Sequence, residues 1–333
     1  MKYEEILSNL KNKIYAPVYF LTGEQTYYID SLTSIFENEI LSEDERDFNL
    51  CILYGKDVSA KDVISQAKQY PMMGTYQVLI VKEAQDINKI EILESYVSNP
   101  LQSTILVLCY KYKKLDGRTA FYKLLKNKAV FFESPKIYDN EIPAWIESQC
   151  RKMNYKISPK ASVMLAQHLG SDLQKIVNEL DKLSIVVSKG SIINEDHIEK
   201  HVGVSKEYNV FELQTAIGKK DVQKVYQIVM YFAENEKAMS MPGLIINLYQ
   251  YFTKLMKYHF IADKSRQGMA NALGVNPFFI GDYSTGAANY LPRKISAIFL
   301  ILQEYDMKSK GVANVNTSPG ELMKEMVYKI LHN

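Results

Sequence analysis

Short apolar runs alternate with stretches whose apolar residues recur every three or four positions. Tyr3, Ile6, Leu7 and Leu10 have the spacing of an amphipathic opening helix. Pro17–Leu21 is a continuous apolar run of the kind that forms a strand buried on both faces. Thr22–Gln25 reads as a turn, and Ile29, Leu32, Ile35, Phe36 and Ile40 trace the next helix face. Phe48 to Tyr54, Gln77 to Lys82, Thr104 to Cys109 and Ala129 to Phe132 read as further strands. Between them lie helical patterns: Val63, Ile64, Ala67 and Tyr70 behind the N-cap Ser59; Ile90, Leu93, Tyr96 and Val97; Ala120, Phe121, Leu124 and Leu125. Such alternation over residues 1–138 predicts a parallel sheet with helices on both faces.

After Ser134-Pro135 the strand-like runs stop. Residues 139–206 read as a small helical module, with Ile142, Trp145, Ile146 and Cys150 on one helix and Pro159 in the first turn of another, after the N-cap Ser158. Leu173, Ile176, Val177, Leu180 and Leu183 mark a third, and His168, beside an apolar face, reads as a core histidine. Residues 207–333 read as a helical bundle. Leu244 to Ile261, apolar on most sides, is its expected centre. The break at Gly274–Phe279 has the outline of a helix–turn–helix, but Arg266 and Arg293 are the only arginines near it, so bundle packing accounts for it better than DNA reading. The fold class is therefore α/β followed by all-α.

Composition narrows the function. The chain has 333 residues, 47% hydrophobic and 23% charged, with a formal net charge of +2. That supports a large packed core, and the balance is too near neutral to mark a nucleic-acid binder. Cys51, Cys109 and Cys150 are far apart and odd in number, as in reduced thiols of the cytosol. With the five histidines they form no metal-ligand spacing. The start has no signal-peptide pattern and no run approaches membrane-spanning length, so a cytoplasmic protein without a membrane, metal or cofactor is expected.

The first strand–turn–helix is where a nucleotide phosphate loop would lie. Gly23 opens it correctly, but Tyr28 stands at the second glycine position, Ile29 at the lysine position and Asp30 at the Ser/Thr position. Tyr would block the backbone, Ile cannot neutralise phosphate, and Asp would repel it. The third strand ends in Lys82-Glu83, with Lys where an acidic magnesium ligand would stand.

Two exposed-looking stretches remain. Pro71 should end the helix that starts after Ser59 at Tyr70, leaving Met72 and Met73 in the short connection before Gly74. They either fold back on the core, which this stretch alone favours, or form an apolar tip for another protein. Lys111, Lys113, Lys114 and Arg118 form the densest basic region, with Tyr112 interleaved. A solvated helix face accounts for it better than phosphate contact, though DNA contact stays a candidate.

Several stretches together resemble the delta subunits of the bacterial DNA polymerase III clamp loader. They are Gly117–Thr119 through Glu133 with Ile142–Ile146; Ser158–Ala161 leading to Leu169–Leu173 and Asn178–Leu183; Asn209–Leu213 with Ala216–Asp221; and Ala272–Phe278. None is a catalytic signature; their order and spacing carry the resemblance. It implies an AAA+-like α/β domain (1–138), a helical lid (139–206) and a helical collar (207–333) that oligomerises. It implies a non-hydrolysing subunit of the DNA-directed DNA polymerase III holoenzyme. Such a subunit binds the beta sliding clamp and opens or holds open its ring for loading on primed DNA beside the tau/gamma ATPase and delta-prime subunits. ATPase relatives carry an arginine where Gln174 stands. In the family, apolar residues at the positions of Tyr70, Met72 and Met73 enter a hydrophobic pocket on the clamp, commonly with an aromatic at position 73. The competing readings are a divergent P-loop ATPase acting on DNA and a stand-alone DNA-binding module.

Overall fold

All five strands of the main sheet run parallel, in the order β2-β3-β4-β1-β5. The computed structural model describes residues 1–72, 74–314 and 316–333. Its chain divides into two compact units, Met1–Ile137 and Tyr138–Asn333. The first contains α1 (Tyr3–Lys11), β1 (Val18–Gly23), α2 (Thr26–Asn38), α3 (Glu43–Asn49), β2 (Leu50–Tyr54), α4 (Ala60–Ala67), β3 (Gln77–Lys82), α5 (Glu94–Val97), β4 (Thr104–Lys111), α6 (Ala120–Lys128) and β5 (Val130–Glu133). One face of the sheet packs Val18, Phe20, Leu79, Val81, Leu106 and Leu108 against α4, α5 and α6. Strands β1, β3 and β4 are buried along nearly their whole length, which is why they read as continuous apolar runs.

Several expectations change. Thr22 and Gly23 belong to the strand, because they continue the ladder opposite Tyr110 and Lys111. Phe48 is helical: Ser42 and Glu45 form a reciprocal capping box that opens α3, and β2 starts only at Leu50. Helix α4 does begin at the Ser59 cap but ends at Ala67, short of Tyr70. Its last carbonyls are taken by side chains of the sheet and its neighbours. Thr104 Oγ1 and the Tyr96 hydroxyl donate to Ala67 O at 2.9 and 3.2 Å. Beyond the helix end, the buried Gln77 amide donates to Gln69 O at 2.5 Å. The Ile90–Val97 pattern forms a 3-10 turn at Ile90–Leu93 before the single turn of α5.

The second unit contains α7 (Ile142–Lys152), β6 (Lys156–Ile157), α8 (Pro159–Leu169), α9 (Leu173–Val186), β7 (Ile192–Ile193), α10 (Glu195–Val202), α11 (Val210–Lys219), α12 (Val222–Glu234), α13 (Met241–Phe260), α14 (Arg266–Leu273), α15 (Ile280–Asn289), α16 (Pro292–Ser309) and α17 (Pro319–His332). Helix α13 buries Leu244, Leu248, Phe252 and Leu255 in the centre of the bundle core, as its near-continuous apolar pattern required. His168 is exposed, not a core residue: α8 buries Ala161, Met164 and Leu165 instead. Arg266 is spent locally, donating to Pro277 O at 2.8 Å across the turn between α14 and α15.

Candidate functional site

The two ends of the parallel strands each carry a candidate site. At the edge where β1, β3 and β4 end, a nucleotide site would lie. Here the loop after β1 is closed by Ser134. Its backbone N–H donates to Thr22 O at 2.7 Å, and its hydroxyl accepts from Gln25 N–H at 3.2 Å. Tyr28 and Ile29 turn into the core, with the Tyr28 ring edge-on to Tyr3 at 5.0 Å. The first turn of α2 thus places core side chains at the positions where a phosphate loop carries a glycine and a lysine.

Lys111 stands at this edge, at the end of β4. Its ammonium lies 2.6 Å from Asp30 and 3.5 Å from Glu83, and its side chain is only 13% exposed. Gln85 bridges Glu83 and the Lys111 N–H, accepting the latter at 2.9 Å. Lys82 pairs with Glu37 at 3.1 Å. Both lysines and Asp30 are therefore satisfied within the protein. A bound phosphate would have to displace carboxylates already holding the cations. Gln174, on α9 in the second unit, donates to Asn178 at 3.0 Å. Among the described residues no cluster of His, Cys, Asp and Glu could hold a metal, and no helix is long and apolar enough to cross a membrane.

At the opposite edge, where the strands begin, the chain leaving α4 turns over the sheet to enter β3. Tyr70 is 74% and Met72 77% exposed. Met73 lies outside the described residues. The exposed side chains stand on a fixed base. The Met72 N–H donates at 2.8 Å to the side-chain oxygen of Asn49, a buried residue at the end of α3. Gly74, at φ +73°, leaves room for the Glu45 carboxylate, which a Cβ would strike. A shallow groove of about 620 Å³ runs beside Tyr70 toward Pro100 and Ser103. Asn49 and Gln77 had no signal in the sequence beyond polarity next to a strand; the Ser42–Glu45 box was the readable clue to α3.

A family model described as DNA polymerase III, delta subunit, matches residues 19–134, and a second, for the C-terminal domain of that same subunit, matches residues 207–322. The chain belongs to the DNA polymerase III delta-subunit family. It is 24% identical over 318 residues to the DNA polymerase III subunit delta of Bacillus subtilis, spanning 92% of this chain and 91% of that one. It also matches the solved structure of the Bacillus subtilis DNA clamp loader delta protein over 100% of both chains, at 22% identity and a TM-score of 0.56, a likeness of fold. The parallel-sheet unit holds the residues that the first of these models matches.

In this delta-family chain the basic stretch divides. Lys111, a candidate for DNA contact in the sequence, is turned inward onto Asp30 and Glu83. Lys113, Lys114 and Arg118 are exposed and pair with Asp86, Glu133 and Asp116.

The Lys111 cluster carries a prediction. Burial works to lower the lysine pKa, but the hydrogen bond and charge of Asp30, with Glu83 behind it, outweigh burial and the net is a rise. Replacing Lys111 with Met should cost about 1–2 kcal/mol in urea unfolding, less than a fully buried pair would, because Asp30 and Glu83 keep contact with water. A lysine pKa raised on folding adds stability that is fully present below the unfolded value of about 10.4 and is lost as pH climbs through the folded value. The difference between wild type and Lys111→Met should therefore persist at neutral pH and shrink only above about pH 10.

Proposed function

We propose that this chain binds the beta sliding clamp through the tip at Tyr70 and Met72, with Met73 beside them in sequence, and opens or holds open the ring for loading on primed DNA. It does so without hydrolysing ATP. The observation that carries the reading is a pair of large apolar side chains, three-quarters exposed, on a connection whose base is fixed by Asn49, Gln77, Thr104 and Tyr96. A fixed apolar anchor loses little entropy on docking. Support for the non-hydrolysing half comes from Ile29, Ser134 and the Lys111–Asp30 pair, which occupy the places of phosphate chemistry. Within the second unit, residues 139–206 would serve as the lid and 207–333 as the collar that meets the tau/gamma and delta-prime subunits. Lys113, Lys114 and Arg118 are the exposed cations through which the assembly would meet DNA.

Opening requires tighter binding to the open ring than to the closed one, since equal binding shifts nothing. The purified chain alone should therefore release clamps preloaded on circular DNA, with no nucleotide present. Binding without release would refute the opening step. Saturable ATP turnover by the chain would refute the non-hydrolysing one and favour a divergent ATPase. Salt-sensitive binding to plain duplex with no clamp binding would favour a stand-alone DNA module.

A further inference from the structure

We infer that the clamp-docking surface extends beyond the tip along the sheet edge, with Phe48 and Ile14 as its two outer contacts. The inference rests on the clamp-binding reading and deepens it.

A stable protein–protein contact buries about 800 Å² on each partner. Large side chains bring about 150–250 Å² each when fully exposed, so Tyr70 and Met72 at three-quarters exposure contribute about 300 Å². More surface must take part, and the edge beside the tip provides it. Phe48 is 57% and Ile14 60% exposed. Both precede strands, β2 and β1, so both lie at the edge from which the tip projects. Phe48 adjoins Asn49, which holds the Met72 backbone at 2.8 Å. On the other side Tyr15, next to Ile14, stacks edge-on to Tyr76 at 5.4 Å, and Tyr76 lies two residues beyond Gly74.

Ile14 is also held in place. Just past the end of α1, Lys13 sits at φ +57°, and the Lys13 and Ile14 N–H groups donate to Leu10 O and Asn9 O at 3.0 and 2.9 Å. That is a Schellman-type stop, in which the residue after the left-handed position ordinarily tucks against the helix. Ile14 occupies that position yet remains mostly exposed. The opposite edge of the sheet carries the charged Lys111, Asp30, Glu83, Lys82 and Glu37 groups. Exposed rings stand there too, but Tyr54 lies opposite Lys82 and Tyr112 next to Lys111, among those charges, whereas Ile14, Phe48, Tyr70 and Met72 share the tip's edge and continue the surface proposed for the clamp.

The test is clamp affinity of the full chain carrying Ile14→Ser, Phe48→Ser or both, beside a tip variant. Each single change should weaken binding about fivefold to twentyfold, and the pair by roughly the product. Thermal melting should stay at the wild-type value, since both side chains are mostly in water. Amide exchange at residues 13–15 and 47–49 should slow in the clamp complex. Wild-type affinity in both variants, with binding lost in the tip variant, would overturn the extended surface and leave the tip reading standing. A concentration-dependent dimer of the chain that the same two changes abolish would assign the edge to a second copy and also overturn it. No clamp binding by wild type would overturn both readings.

Discussion

Clamp binding should fall by about thirtyfold to a thousandfold in a Tyr70→Ala/Met72→Ala variant, with folding unchanged. The estimate comes from what such side chains do at the centre of interfaces. Truncating a seated aromatic or large apolar contact costs about 1–2 kcal/mol, two of them about 2–4 kcal/mol together, and every 1.4 kcal/mol is a tenfold loss. Folding should be indifferent, because both side chains are exposed and the hydrogen bonds at the base involve the Met72 backbone and other residues. The variants also rank the contacts. Tyr70→Phe should bind almost as wild type if the ring fills a pocket, and Met72→Leu should keep most of the affinity by volume. A Met72→Ala/Met73→Ala variant that loses more than Met72→Ala alone assigns Met73 a share. Isothermal titration against the clamp settles the matter: equal affinity for wild type and the Tyr70/Met72 variant would place the contact elsewhere on the chain.

The same residues show what could be read from sequence. The start of α4 was legible because its signal is local: Ser59 caps the helix three residues before its reciprocal partner Asp62. Its end was not. Tyr70 has the right spacing for the helix face, but the Ala67 carbonyl is claimed by Thr104 and Tyr96, 37 and 29 residues away. Phe48 looked like a strand residue because it adjoins the apolar Leu50–Tyr54, while the capping box that makes it helical sits several residues earlier. Lys111 belonged to a basic run, and nothing in that run says which lysine turns inward. The parallel register decides it, by setting Lys111 opposite Gly23 at the strand ends. The departures from a phosphate-loop pattern at Tyr28, Ile29 and Asp30 were legible as residue types. What fills the space, Ser134 and the Lys111–Asp30 pair, was not, because those partners meet only through the sheet.

Gly23→Ala should be among the most damaging single changes in the parallel-sheet unit, costing about 3–4 kcal/mol. Two separate effects add. Gly23 sits at φ +129°, a conformation that side chains rarely adopt, worth about 1–3 kcal/mol of strain. A Cβ there would also overlap Ser134 Oγ and lie 2.8 Å from the Ser134 backbone nitrogen. Ser134 cannot retreat freely, since its N–H holds Thr22 O and its hydroxyl holds the Gln25 N–H. For a unit of this size the melting temperature should drop by about 10–15 °C. Gly190→Ala separates the two effects: φ there is +84° but nothing lies within 4 Å, so only about 1 kcal/mol should be lost. A Gly23→Ala/Ser134→Gly variant should recover only part of the loss, because the backbone overlap and the strain remain while the Gln25 hydrogen bond is gone. A wild-type melting temperature in Gly23→Ala would mean that the loop after β1 can open. The reading of a nucleotide site closed by Ser134 would then fail with it. The glycine that looks like the first residue of a phosphate loop is needed here for the opposite purpose, to let a serine close the loop.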